Sequence, residues 1–132
     1  VLGPTRVVWA RPSYPADETL CETHLLARLE NAEGVPVSIL GSVGGAQPDR
    51  QELTVKGTAQ SHRVSEFSYH AISDGGPFVQ THEAFEDRRA VALKAQLDGL
   101  DAMIRGAPHP LATLREALGV QERIEAMLAG LG

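Results

Sequence analysis

The sequence predicts an α+β fold, in which a largely antiparallel open β-sheet carries two C-terminal helices packed on one face. Two observations support this fold class. Apolar residues recur at every second position over the first two-thirds of the chain, and at helical spacing over the last third. Since 132 residues suit one modest core, we expect residues 1–132 to form a single domain.

The first predicted strand is the β-branched and aromatic run Arg6–Arg11. Between Thr19 and Asn31 the apolar residues fall at odd-numbered positions, and the same pattern resumes after residue 34; they are Cys21, Leu25, Ala27, Leu29, Val35, Val37, Ile39 and Val43. With turn residues at Asn31–Gly34, these two runs predict a hairpin. Its polar face carries the even-numbered residues Glu22, His24, Arg28, Ser38 and Ser42.

Further strands are expected in the middle of the chain. Glu52–Gly57 alternates and ends in a tight turn, which we attribute to a glycine able to adopt a positive φ. Extended structure follows from Ser61 through Ile72. The candidate buried residues in this stretch are Val64, Phe67, Tyr69 and Ile72.

Two amphipathic helices are predicted at the end. In the first helix, the apolar residues recur at helical spacing. They are Phe85, Leu93, Leu97, Leu100 and Ile104. Gly106 and the two prolines that follow it end this helix. Thr113 and Glu116 have the spacing of a capping box, which begins the second helix. Its expected apolar stripe comprises Leu114, Ala117, Gln121, Ile124 and Leu128, with Leu118 and Met127 alongside.

Charge and cysteine content restrict the partners and the compartment. A net charge of -5 provides no basic surface for a phosphate backbone, so we expect no nucleic acid partner. The only cysteine, Cys21, is expected to be a small core residue on the apolar side of its strand. A free thiol favours a reducing compartment, here the cytoplasm. No apolar run is long enough to span a bilayer, so no membrane partner is expected either.

No complete catalytic or cofactor-binding motif is present. Gly41, Gly44 and Gly45 lack the following helix that a dinucleotide fingerprint requires, so we expect this chain alone to bind no nicotinamide cofactor. Cys21 and His24 would point to opposite faces of a strand, which excludes a shared metal ion.

The remaining histidines are explained without a catalytic or metal-binding role. His62, His70 and His109 are expected to be isolated structural or exposed residues, since no spacing assembles them into a triad. His82 stands where the first helix is expected to begin, followed by acidic residues that the helix dipole explains, namely Glu83, Glu86 and Asp87. We therefore assign no catalytic residue.

Three loop residues are the candidates for lining a substrate pocket. Arg11, Tyr14 and His82 could each hydrogen-bond an oxygen-rich ligand at the edge of the sheet. Loops carry such residues in any case.

Two segments, Glu52–Thr58 and Leu114–Met127, resemble the strand-turn segment and the final helix of the C-terminal domain in the Gfo/Idh/MocA family of NAD(P)-dependent oxidoreductases. The order of elements is similar over nearly the whole chain. Gln60 departs from the family's turn, which usually has a second glycine there, and Gly119 stands where the helix usually has a larger residue.

The resemblance implies that this chain is the substrate-side and oligomerisation domain of a parent oxidoreductase acting on a sugar, polyol or related hydroxy compound. An N-terminal Rossmann domain of the same parent chain would bind NAD or NADP, and the catalytic residues would precede Arg6. The chain alone is expected to be inactive.

The resemblance also implies a homo-oligomer that forms through the open, polar sheet face. That face could equally be plain solvated surface. A stand-alone, non-enzymatic α+β module for ligand binding or dimerisation is the alternative function.

Overall fold

The computed structural model describes residues 3–17, 19–82 and 87–131, with only the backbone of Arg88. These residues form strands and helices in the following order: β1 Thr5–Ser13, β2 His24–Asn31, β3 Pro36–Ser42, β4 Glu52–Val55, β5 Ser61–Ser65, β6 Tyr69–Ser73, β7 Val79–Gln80, α1 Arg88–Ile104 and α2 Leu114–Leu128. The α+β class with C-terminal helices is confirmed. The strands form two open antiparallel sheets, ordered β1-β2-β3 and β4-β5-β6-β7.

The chain divides into two compact units, one of residues 1–47 with 112–132 and the other of residues 48–111. The first contains the three-stranded sheet and α2, and the second contains the four-stranded sheet and α1. The single-domain expectation stays a prediction, because compactness does not establish whether either unit folds alone.

The core of the first unit lies between α2 and one face of its sheet. Ala10, Ala27, Leu29 and Met127 are buried there. Because the two alanines carry only methyl groups, the helix can approach the sheet closely. The Ala10 amide donates to the Leu131 carbonyl at 2.6 Å, and this bond ties the end of the chain to β1.

The capping box at the start of α2 is confirmed. The Glu116 amide donates to Thr113 Oγ1 at 3.2 Å, and the Thr113 amide donates to Glu116 Oε2 at 2.7 Å. The predicted apolar stripe is wrong at Leu114, which is 91% exposed, while Met127, predicted to lie alongside it, is buried. The helix presents a different side to β1, because the Arg123 guanidinium donates to the Thr5 carbonyl at 2.6 Å.

The hairpin and its turn are confirmed, but the predicted position of Cys21, in the core on a strand, is wrong. Asn31 Oδ1 accepts from the amides of Glu33 and Val35, at 3.0 and 2.8 Å, which fixes the turn. Cys21 lies before β2 and is exposed. Asp17 forms a local turn instead, with its carboxylate accepting from the Thr19 amide at 3.0 Å and hydroxyl at 2.6 Å.

The turn after β4 forms at Gly57, for a reason other than the predicted one. Gly57 has a negative φ. A Cβ built on it would lie 2.4 Å from the Gln60 carbonyl oxygen, so close backbone approach is what requires glycine.

On β4 itself, a hydrogen bond from Arg50 holds the pKa of Glu52 below its ordinary value.

The turn between β5 and β6 exposes an aromatic side chain. Phe67 is 84% exposed, so its predicted burial is wrong. Glu66 and Phe67 have φ values of 49° and 60°, a conformation that L-residues other than Asn and Asp rarely adopt. Two adjacent residues are therefore in an unfavourable backbone conformation at the tip of an exposed hairpin.

Helix α1 begins and ends at defined capping groups. Asp87 Oδ1 accepts from the amides of Arg89 and Ala90, at 3.0 and 3.1 Å, so Asp87 is the N-cap rather than part of the first turn. Gly106, with φ of 69°, ends the helix as predicted. The expectations for Glu83, Phe85 and Glu86 lie outside the described residues.

Replacing Glu66→Asn and Phe67→Gly together is predicted to raise the free energy of unfolding by about 1 kcal/mol, because Asn-Gly suits two consecutive positive φ angles. Urea denaturation of the variant and the unmodified chain measures this difference. Phe67→Ala is the control, since it removes the ring but keeps a Cβ at positive φ. Equal stability of the double variant and the unmodified chain would contradict the prediction.

Candidate functional site

The β5–β6 hairpin brings two histidines together on one face of the four-stranded sheet. His62 pairs with Ile72, and His70 pairs with Val64, so the two imidazoles are diagonal neighbours. Their rings are parallel within 3°, with centroids 5.3 Å apart. His62 Nδ1 and His70 Nε2 are 3.1 Å apart, a hydrogen-bond distance.

A threonine hydroxyl extends this pair into a chain of hydrogen bonds. Thr81 Oγ1 lies 3.1 Å from His70 Nδ1 and donates to the His70 carbonyl oxygen, also at 3.1 Å. With its single hydrogen directed to the His70 carbonyl, the hydroxyl accepts from His70 Nδ1. His70 Nε2 then carries a lone pair and accepts from His62 Nδ1.

The hydrogen-bond chain determines whether the last ring nitrogen in it, His62 Nε2, carries a hydrogen or a lone pair. With Nδ1 of His62 acting as a donor, Nε2 of neutral His62 carries the lone pair. Nε2 has no hydrogen-bond partner in the part of the chain that the structure describes. A base whose other nitrogen is held by a third group is the arrangement that proton abstraction requires. His62 can therefore accept a hydrogen bond or a proton from a hydroxyl group.

The surroundings of the histidine pair are mostly apolar. The residues that share its face of the sheet, by register, are Leu53, Val55, Val64, Ile72 and Val79. Leu53 and Val79 are 59% and 68% exposed, so this apolar face is open to a ligand and to water. On the opposite face, the Arg63 guanidinium lies 4.4 Å from the centroid of the Phe78 ring.

The expectation that His62 and His70 are isolated is wrong, because they are hydrogen-bonded to each other. The missed signal was their position relative to the turn at residues 66–68, since His62 lies four residues before it and His70 two residues after it. The register of the hairpin, with His62 opposite Ile72 and His70 opposite Val64, places both imidazoles on the same face. His109, the third of these histidines, has a buried Nδ1 without a partner among the described residues.

The open face of the three-stranded sheet contains most of the predicted interface residues. His24 pairs with Ser42, and Arg28 with Ser38, so these four side chains share a face; Glu22 precedes β2. Three apolar side chains also lie on this face, which the alternation did not predict. Trp9, Leu26 and Leu40 lie there with exposures of 37%, 50% and 79%. We call these three residues the sheet patch.

A shallow groove lies at the edge of the same sheet, beside the hairpin turn. It has a volume of about 380 Å³ and is lined by Pro4, Thr5, Arg6, Glu30, Asn31, Ala32 and Gly34. Glu30 forms ion pairs with Arg6 at 2.9 Å and with Arg28 at 3.2 Å. Since both arginines are well exposed, these pairs contribute little to stability.

Two of the three pocket candidates lie in the first unit and the third lies in the second. Arg11 is on β1 and donates to the Ala10 carbonyl at 3.1 Å. The Tyr14 hydroxyl donates to the Leu128 carbonyl at 2.9 Å, which anchors the end of α2. His82 follows β7 in the second unit. A pocket role for these residues stays a prediction.

Within residues 3–17, 19–82 and 87–131, no three His, Cys, Asp or Glu side chains are placed to hold a metal ion. Neither described helix combines the length and apolar character needed to cross a membrane.

The hydrogen-bond chain predicts that neutral His62 and His70 both carry their proton on Nδ1. Long-range ¹H–¹⁵N NMR spectra of the imidazoles report the tautomer directly. Thr81→Val removes the hydroxyl acceptor, and the fraction of His70 with a proton on Nδ1 should then fall. Spectra showing both rings protonated on Nε2 in the unmodified chain would contradict this arrangement.

Comparison of the chain with family models, with curated proteins and with solved structures found no match. The resemblance to the oxidoreductase family therefore stays a prediction.

Proposed function

We propose that this chain is the substrate-side and oligomerisation domain of a larger NAD(P)-dependent oxidoreductase that acts on a sugar, polyol or related hydroxy compound. The observation that carries the proposal is the open face of the three-stranded sheet. An exposed apolar patch among polar residues is the anatomy of a protein–protein contact, not of a face that is simply solvated.

The composition of this face supports the contact. The sheet patch contains a tryptophan and two leucines, and Arg28 and Arg11 lie directly opposite Trp9 and Leu26 in the strand register. Tryptophan and arginine are the residues most often found at the energetic centres of interfaces. Leu40, at 79% exposure, offers a large apolar side chain to a second surface. Pairing of two such faces would form the homo-oligomer.

The nicotinamide part of the proposal is supported by the resemblance of two segments. Residues 52–58 form a strand followed by a tight turn, and residues 114–127 form a capped helix, as the resemblance implies. In this proposal the Rossmann domain of the parent holds NAD or NADP, and this chain holds none.

The histidine pair suits a substrate-side role. A hydroxylated substrate can donate an O–H to His62 Nε2, whose lone pair is directed by His70 and Thr81. In the proposal this contact orients the substrate, and the catalytic residues belong to the parent's other domain.

Cytoplasmic localisation is part of the proposal and is supported by the unpaired, exposed Cys21.

A stand-alone dimerisation module is the second candidate function. The sheet patch favours it, because a second copy alone would cover that patch. The sequence upstream of Val1 in the gene separates the two candidates. Codons for Gly-x-Gly-x-x-Gly and Glu-Lys-Pro motifs in the same reading frame would support the oxidoreductase, and a start codon beside Val1 would support the module.

The isolated chain is predicted to show no saturable binding of NADH or NADPH, whereas the whole parent protein should bind one of them and reduce its oxidised form in the presence of a polyol or sugar. Titration of nicotinamide fluorescence and absorbance at 340 nm measure the two properties. Saturable binding by the isolated chain would contradict the proposed division of roles, and a parent without dehydrogenase activity on any sugar or polyol would contradict the proposed reaction.

A further inference from the structure

The apolar stripe of α1 is exposed along its whole length. Leu93, Leu97, Leu100 and Ile104 are exposed by 56%, 55%, 41% and 77%. Together with Ala90 they alternate at spacings of three and four, which is the a/d pattern of two heptads. A stripe of this kind is stable in water when a second helix covers it.

The opposite edge of the helix is already in contact with its own unit. Gly99 is buried, and a Cβ built on it would lie 3.0 Å from the Leu111 side chain. Leu111 therefore covers the Gly99 side of α1 and leaves the a/d stripe open.

The total exposed surface indicates that more than one such region is uncovered. The chain exposes 10519 Å². Two separate compact domains of half its mass would together expose about 8100 Å². The difference, about 2400 Å², is roughly three times the area of about 800 Å² that each partner contributes to a standard interface, so it leaves room for more than one contact surface.

The charges that flank the stripe distinguish the possible pairings. The e and g positions next to the stripe include Arg89, Lys94 and Asp101. In a parallel pair, Arg89 would lie beside Lys94 of the other copy, and the two would repel. In an antiparallel pair with Leu97 opposite Leu100, Lys94 lies beside Asp101 of the other copy at both ends of the contact.

We propose that two copies of this chain associate through α1, with the helices antiparallel and the a/d stripes facing each other. Leu93 packs opposite Ile104 of the second copy, and Leu97 packs opposite Leu100. Lys94 and Asp101 are accessible for the flanking contact, with side-chain exposures of 76% and 63%. This surface is separate from the sheet patch, and the proposal does not depend on the nicotinamide function.

A charge-reversal experiment tests the pairing on the whole chain. Lys94→Glu alone and Asp101→Lys alone should each weaken the dimer roughly fivefold or more, because each places like charges together twice. The double variant should restore the unmodified dissociation constant, measured by sedimentation equilibrium. An equimolar mixture of the two single variants should associate more tightly than either variant alone.

The double variant separates pairing from helix stability. Within one helix, Lys94 contacts Asp98, and Asp101 contacts Arg105, both at 2.5 Å. Reversing both charges leaves these two intrahelical contacts unfavourable, so restored association can come only from contact between copies. Circular dichroism confirms that α1 remains helical in each variant.

Two further variants test the apolar part of the contact. Leu97→Gln with Leu100→Gln should weaken the dimer by at least about a hundredfold. Ala95→Gln, on the outer side of the helix, is the matched control and should leave association unchanged. A monomeric unmodified chain would overturn the proposal. It would equally be overturned by a dimer that is unaffected by the α1 variants but abolished by Leu40→Glu, which alters the sheet patch.

Discussion

The first unit depends on the close contact of α2 with one face of the β1-β2-β3 sheet. Ala10 and Ala27 make that contact possible, and Met127 fills it. Once α2 occupies this face, the alternation of the strands directs Trp9, Leu26 and Leu40 to the other one. The exposed sheet patch is thus a consequence of how the core forms, and no element of the first unit's described part covers it.

The second unit has a different constraint, the hairpin that joins β5 and β6. Its register places His62 and His70 on one face, and β7 then brings Thr81 within hydrogen-bond distance of His70. Each group determines which nitrogen of the next ring carries a proton. The directed lone pair on His62 therefore follows from strand pairing, and it provides a chemically competent group in a chain without a recognisable catalytic motif.

The sequence was informative where local chemistry determines structure. The alternation around Asn31–Gly34 predicted the hairpin, and Thr113 with Glu116 predicted the start of α2. It was misleading where distant contacts decide: the bond from Arg123 to Thr5 selects the face of α2, and the Asp17 turn keeps Cys21 out of a strand. The histidine pair was missed because hairpin register, rather than sequence spacing, brings the two rings together.

The central claim is that the sheet patch is a contact surface in the assembled protein. Trp9 is the only tryptophan of this chain, and once any tryptophans of the parent's other domain are replaced by phenylalanine, the fluorescence reports on this patch alone. Collisional quenching by iodide should be strong in the dilute isolated chain and much weaker in the whole parent protein. Equal quenching in both would contradict the claim, because it would show that assembly leaves the sheet patch exposed.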